Sequence, residues 1–589
     1  MANYLGNLSW GIVPLNWSTT NLATMSWDYR SNYLKSANDQ LRYQVQWFNG
    51  NSINEGVEPS AGNYTGGKGD IVNAIFKVET TVDGTNWNTI GTIKKSRDIA
   101  NKRYDTGAAA TDHRFTIDIS QLVSDQLSYS LCPINKGTWQ SSFYGGMNGG
   151  AVIQDNVIGT SAISNYNVSE NGTFRRVRVS ATFDIINGDG EITDAGYTLS
   201  APPYVTAINS VNQFERDSVY YNKYTVDYST GYNFLTRCPN FSDGSTNEDF
   251  KKPVRIDEQA EWLQFYIRRN YSNEIRGVGL DDVVGADAIK IVTYDSSGIE
   301  NTFYLRDFED NLLTQVSNGY VLPENYQQQM FIQNISPSYI INSGNVWSPN
   351  NTRSNSPSNY PYWNAYASNT ITSNTVYYTA ELVKVGMWSP YTVRVVSSSY
   401  KYTIDRESEN IPYGFVRFHW LNSLGAIDSY TAKRDVVEGL TISRGVIERN
   451  SADRTWYQAN SYGVNGSESN ISDSLYVSDT MRGGNLYKGG REVSNVDADK
   501  VQSVYTEPLN KSVAKWLEEM LLSPNVWIEK DTDATAKGNA SNPYLRPSTK
   551  EYIPVIITNS DAETVNQENG LVRFNIEYTL SHKVQTQRN

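Results

Sequence analysis

Leu571-Val572-Arg573-Phe574-Asn575-Ile576-Glu577-Tyr578-Thr579-Leu580 carries the cleanest two-residue period in the chain. Val572, Phe574, Ile576, Tyr578 and Leu580 fall on one side, with Arg573, Asn575, Glu577 and Thr579 on the other. A strand with one face on a core and one on solvent requires this alternation. The same period recurs far upstream, in Phe115-Thr116-Ile117-Asp118-Ile119 and in Val177-Arg178-Val179-Ser180-Ala181-Thr182-Phe183. Ile75 to Val82, closed by Asp83-Gly84 and followed by Trp87 to Ile93, has the form of a hairpin around a glycine turn. Glu261 to Ile267, Ile289 to Tyr294, Thr302 to Leu305, Val376 to Val383 and Thr392 to Val396 add further strands.

One segment breaks the pattern. Val513, Trp516, Leu517, Met520 and Leu521 recur at helical spacing before Ser523-Pro524, where proline prevents continuation. The fold class that follows is mainly β and multidomain. An immunoglobulin- or fibronectin-like β-sandwich is expected over 1–205 and a β-rich middle domain over 206–408. A C-terminal β-rich domain over 409–589 carries one amphipathic helix near 510–522. Residues 133–172 and 343–374, rich in Gly, Asn, Ser and Pro, read as long exposed loops. No repeat of fixed length is evident, which argues against a propeller or β-helix.

The inventory is lopsided: 41 tyrosines and 14 tryptophans against three histidines and two cysteines in 589 residues. Such a chain has abundant packing and contact surface but few of the side chains used most for proton transfer, nucleophilic attack and metal binding. Its formal charge of −13, from 63 acidic and 50 basic residues, disfavours phosphate backbones and anionic membranes as partners. No apolar run is long enough to span a bilayer, and Met1-Ala2-Asn3-Tyr4-Leu5-Gly6-Asn7 lacks the basic and apolar parts of a signal peptide, so folding in a cytosol is expected. Cys132 and Cys238 read as free thiols rather than a disulfide framework.

Each candidate site fails on spacing. His113, His419 and His582 have no metal-ligand spacing among themselves. Asn187-Gly188-Asp189-Gly190-Glu191 invites a calcium loop, but the register puts Ile185 and Gly196 at ligand positions, so a tight turn between strands is expected. Gly277-Val278-Gly279 meets Asp282 where a dinucleotide fingerprint needs glycine, and Gly67-Lys68 lacks a phosphate loop around it. The pairs Asp281-Asp282 and Glu518-Glu519 place neighbouring carboxylates on different faces, so both read as solvated surface rather than as an acid/base pair.

Phe415-Val416-Arg417-Phe418-His419-Trp420-Leu421-Asn422-Ser423-Leu424-Gly425-Ala426-Ile427-Asp428-Ser429-Tyr430-Thr431 reads as a hairpin, with Phe418 and Trp420 on one face and a turn completed near Gly425. This stretch resembles a signature of uncharacterised virion structural proteins, of tail or baseplate type, from tailed bacteriophages of marine and Bacteroidetes hosts. Phe234 to Pro239 with Asp257 to Leu263, Leu522 to Ile528, and Lys583 to Gln587 are similar to the same group. The resemblance brings no catalytic, cofactor-binding or metal-ligating residue, and none is assigned. It implies a non-enzymatic structural component of a virion tail, baseplate or neck, assembled in the host cytoplasm, whose partners are other virion proteins and copies of itself. Alternative readings are a receptor-binding or fibre protein whose exposed aromatics contact host surface glycans, a capsid decoration protein, and a polysaccharide depolymerase. Neither nucleic acid nor membrane insertion is expected.

Overall fold

The computed structural model describes residues 8–12, 34–38, 41–48, 71–81, 86–96, 112–127, 174–186, 191–199, 201, 204–211, 225–226, 234–242, 250–256, 259, 261–268, 288–298, 300–305, 328–337, 340, 346–349, 363–366, 371–385, 393–406, 415–449, 490–531, 550–559 and 571–581. The molecule is mainly β, with several sheets. Each sheet among the described residues draws its strands from one of three stretches of sequence: 8–208, 225–405 or 416–580.

In the first stretch, strands Leu8–Ile12, Arg42–Phe48 and Asp112–Asp118 form a three-stranded sheet. A six-stranded sheet contains Leu34–Ser36, Val205–Ile208, Phe174–Ile186, Ile71–Thr81 and Asn88–Ser96 in that order, with Ile192–Leu199 also paired to Phe174–Ile186. The expected hairpin is present as the antiparallel pair Ile71–Thr81 and Asn88–Ser96 at the edge of this sheet, with an irregularity after Val78. One apolar core takes Tyr43, Val45, Phe115 and Ile117 from the first sheet and Phe76, Val78, Val177, Val179 and Phe183 from the second. The alternation read at 115–119 and 177–183 therefore marks two inner faces that meet. Phe174–Ile186 and Ile192–Leu199 pair antiparallel from Ile186↔Ile192, in keeping with a turn between them, although residues 187–190 lie outside the described residues. So do 133–172 and Cys132.

The middle stretch joins a nine-stranded sheet to the three-stranded sheet of Thr225–Val226, Trp262–Arg268 and Gln328–Asn334 through a core that includes Phe234, Phe265, Ile289, Ile291, Ile335, Leu382 and Tyr400. The excursion expected at 343–374 is not loop throughout. Val346–Pro349 and Trp363–Tyr366 are strands added to the end of the nine-stranded sheet, with Trp347 opposite Tyr366. Tryptophan and tyrosine favour strands strongly enough to form short pairs within a polar segment. Pro349 is accommodated as the last residue of its strand, at a register shift, where a missing ladder donor matters least.

The third stretch holds a seven-stranded sheet in the order Ile427–Ala432, Val416–Leu421, Val526–Asp531, Lys550–Ile557, Asn575–Leu580, Gly490–Tyr505, Arg434–Arg449. Its two edge strands are separated in sequence by Lys433 alone, a reach of about 7 Å, whereas six strand spacings would hold flat edges about 29 Å apart. The sheet therefore curls. Phe418, Trp420, Val504, Ile528, Val555, Ile576 and Tyr578 line one core with the helix Lys511–Leu522, whose Val513, Trp516, Leu517 and Met520 are buried. Asn510 caps this helix, its side chain accepting from the Val513 N–H at 2.9 Å. Ser523 leaves it in an extended conformation ahead of Pro524, as the spacing predicts.

The closing segment keeps its alternation, with Val572, Phe574, Ile576 and Tyr578 buried, yet it is two strands and not one. Leu571–Val572 pairs with Leu509–Asn510 in a small separate sheet, and Asn575–Leu580 belongs to the seven-stranded one. Between them the Phe574 N–H donates to the Thr506 hydroxyl at 3.0 Å, so a side chain replaces a ladder partner and the chain changes sheets. The alternation records only which face is buried, not which neighbour is paired.

Candidate functional site

The hairpin Val416–Leu421 and Ile427–Ala432 runs antiparallel from Val416↔Ala432 to Leu421↔Ile427, and its returning strand is buried throughout. Alternation sends Phe418 and Trp420 to the helix core. It sends Arg417 and His419 the other way, where residues of the middle stretch cover them. Both faces of this hairpin are thus packed, and the polar one is built from charge.

Glu261 accepts from Lys252 Nζ at 2.5 Å and from Arg417 Nη2 at 2.6 Å, with all three side chains at most 4% exposed. Arg417 also donates through Nη1 to Thr431 Oγ1 at 2.9 Å, and Thr431 donates to Gln259 Oε1 at 3.0 Å. Glu529, opposite Arg417 on the neighbouring strand, lies 3.9 Å from Arg417 Nε and 3.0 Å from His419 Nε2. Two cations face two carboxylates, so the cluster is neutral when His419 is neutral. Burial holds the His419 imidazole below its ordinary value against the pull of Glu529. The neutral ring then donates from Nε2 to Glu529, and its Nδ1 accepts from the Ser429 hydroxyl at 2.8 Å.

Ser429, His419 and Glu529 thereby form a serine–histidine–carboxylate chain in hydrogen-bonded order. It is sealed: Ser429 is 1% exposed and His419 fully buried, with the rings of Trp262 and Tyr552 at 5.0 and 5.3 Å from the imidazole. A substrate atom would have to displace packed aromatics to come within about 3 Å of the serine oxygen. In this arrangement the chain fixes rotamers and satisfies buried polar atoms.

The turn at 422–426 ties three parts of the chain together. Asn422 Oδ1 accepts from the N–H groups of Leu424 and Ala426, both at 3.0 Å. Its Nδ2 donates to the Leu235 carbonyl at 2.8 Å and to Asp428 at 3.1 Å. Gln264 accepts from the Ile427 N–H, and the Val211 N–H donates to the Ser423 carbonyl at 2.9 Å. Gly425 takes φ +81°, and a Cβ there would sit 2.8 Å from the Asn209 carbonyl oxygen, so glycine is required twice over. Asp428 also accepts from Trp516 Nε1 at 2.9 Å, and burial raises its carboxyl above the usual range.

Of the carboxylate pair on the helix, Glu519 is not solvated surface. Its side chain is 15% exposed, accepts from the Ser423 hydroxyl at 2.6 Å and lies 3.5 Å from Arg237 Nε. Burial pushes its carboxyl up to about 7. Neighbouring helix positions do point apart, but this one points into the junction, a consequence of tertiary packing that pair spacing does not encode.

Leu235, Glu261 and the 415–431 hairpin, from sequence islands far apart in the chain, meet in this one place. His113 lies in a strand of a different sheet from His419, and His582, Gly67-Lys68, Gly277 to Gly279 and Asp281-Asp282 lie outside the described residues. Cys238 is buried as a free thiol in the helix core. Among the described residues no group of three or more His, Cys, Asp or Glu is placed to hold a metal, and no helix is long and apolar enough to cross a membrane. The roles of Lys252, Glu261 and Glu529 escaped the sequence. Their one local signal is the polar pair Arg417 and His419 alternating with Phe418 and Trp420 in a strand otherwise apolar enough to be central. No protein-family model matches this chain, and no curated protein matches it either.

Proposed function

We propose that this chain is a non-enzymatic structural subunit of a tailed-phage virion, placed in the tail, baseplate or neck, with an immunoglobulin- or fibronectin-type sandwich at its N-terminal end. The observation that carries the reading is where the chemistry has gone. Among the described residues, the Lys and Arg ion pairs with both side chains at most 4% exposed, Lys252–Glu261, Arg417–Glu261 and Arg417–Glu529, lie together in a sealed junction, where hydrogen bonds from Val211, Asn422 and Ile427 also tie separate stretches of chain. A subunit that bears mechanical load needs this kind of internal fastening, since buried ion pairs specify one arrangement of the parts they join. The two sheets of the N-terminal stretch around one apolar core support the sandwich assignment.

Electron microscopy of purified particles with antibody against this chain tests the proposal. Label on the tail, baseplate or neck is the expected result. Label confined to the capsid surface would favour a decoration protein, label on distal fibres with glycan binding would favour receptor recognition, and absence from particles would end the virion reading.

A further inference from the structure

Arg434–Arg449 and Gly490–Tyr505 are paired from Arg434↔Tyr505 to Arg449↔Gly490, but Gly490–Tyr505 meets its other neighbour only over Val501–Tyr505. From Leu440↔Lys500 outward, the pair leaves the seven-stranded sheet as a two-stranded ribbon, roughly 30 Å long at strand rise. A two-stranded ribbon alone is marginal in water. This one is also apolar: Leu440, Ile442, Val446 and Ile447 are each 41–56% exposed, and eight of the sixteen large hydrophobics exposed among the described residues lie on the two paired strands. Arg434–Arg449 is the outer strand, and among the described residues its second row of backbone donors and acceptors has no partner strand.

We infer that this open edge pairs with the same strand of a second copy of the chain, antiparallel about a two-fold axis at Thr441. The sequence of the strand is complementary to itself in that register. Glu438 faces Arg444 of the partner subunit, Leu440 faces Ile442 of the partner subunit, and each contact occurs twice, as an isologous interface demands. These residues all have the same parity, so they share one face of the joined sheet. Sliding by two residues in either direction sets Glu438 against Ile442 or Val446 and loses both charge pairs. Glu438 is already oriented within its own ribbon by Lys500 at 2.7 Å and by Gln502. The inference deepens the reading of an assembly subunit by naming the partner as a second copy, and it is tested on the isolated chain, so absence from particles would leave it standing.

The test is sedimentation equilibrium of the purified full chain, free of particles, with Glu438→Arg, Arg444→Glu and the double exchange. Wild type is expected to dimerise, each single reversal to weaken the dimer by about tenfold or more, and the double exchange to restore it, because opposite charges across strands attract and like charges repel. Leu440→Arg should weaken the dimer without changing the circular dichroism of the fold. Hydrogen exchange on the same samples should show the amides of 438–446 protected as dimer forms. A wild type that stays monomeric overturns the inference, and if those amides are then protected, the segment 450–489 of the same chain is the occupant. A dimer indifferent to both single reversals equally overturns it, since the contact then lies elsewhere.

Discussion

Between the N-terminal sheets, Val45, Phe76, Phe115, Val177 and Phe183 meet as apolar surfaces, while beneath the 415–431 hairpin Lys252, Glu261, Arg417 and Glu529 meet as charges. The two regions are buried to a similar depth. Apolar burial is non-directional and roughly proportional to area, so such a core tolerates small changes in shape. Buried charge is stable only with its partners in place, so the junction accepts one arrangement and penalises all others. The difference assigns different work to the two regions: the first holds two sheets together, and the second dictates how separate stretches of chain dock.

The sharpest way to break this comparison is Glu261→Gln, which leaves Lys252 and Arg417 buried without a shared carboxylate. The expected loss is about 3–5 kcal/mol in chemical denaturation. Replacing Lys252, Glu261 and Arg417 with Met, Leu and Met, together with Glu529→Gln so that no carboxylate is left buried without a cation, should restore most of that loss, because the desolvation cost disappears with the charges. If the single change is as mild as a surface substitution, the ionic junction is not what fixes the docking.

Asn422→Ala follows in size, at roughly 2–4 kcal/mol, since it removes four hydrogen bonds and leaves buried groups of the turn and of Leu235 unpaired. Calorimetry should show more than the loss of stability. With the turn loosened from Leu235, unfolding is expected to separate into transitions for different stretches; a single transition shifted as a whole would mean that the junction does not couple them.

How far the sequence anticipated this contrast follows from range. Val177, Val179 and Phe183 alternate within seven residues, and Val513, Trp516, Leu517 and Met520 repeat within two helical turns, so their faces are written locally. Glu261 and Arg417 are 156 positions apart, and His419 and Glu529 110 apart, so no window contains both members of a pair. The long ribbon was equally hidden, because Gly439, Gly445 and interspersed Thr, Ser and charge interrupt its apolar period and its exposure leaves no burial pattern to read. The 422–426 turn lies between these extremes: Gly425 marked it, but only the Asn209 carbonyl beside it explains why the turn must be so tight.

In the apolar region, Ile117→Val removes one buried methylene and should cost only about 0.5–1.5 kcal/mol, with thermal unfolding of the N-terminal stretch lowered and the junction untouched. A larger loss, or one that spreads to the junction, would show that the two cores are not independent.

The smallest effect expected in the wild-type protein is its dependence on pH below about 6.5, and it is small because buried His419 opposes the buried carboxyls of Glu519 and Asp428. His419 is held neutral by burial, so below the unfolded value of about 6.5 the unfolded chain takes up a proton that the folded chain refuses, and stability falls as pH drops. Glu519 has the opposite sign. Its folded value of about 7 lies above the unfolded carboxylate, so the folded chain holds a proton that the unfolded chain has released, and stability falls as pH rises. Each group alone contributes a slope of up to about 1.4 kcal/mol per pH unit, and below about pH 6.5 the two slopes have opposite signs. Denaturation midpoints should therefore change less with pH below about 6.5 than in a variant that lacks either group, and decline toward pH 7, where His419 no longer compensates. Glu519→Gln should expose a rise with pH across the window, and His419→Gln a fall. Parallel profiles in the two variants would show that neither group carries the charge behaviour that its burial implies, and the junction would then resemble the apolar core more closely than its composition suggests.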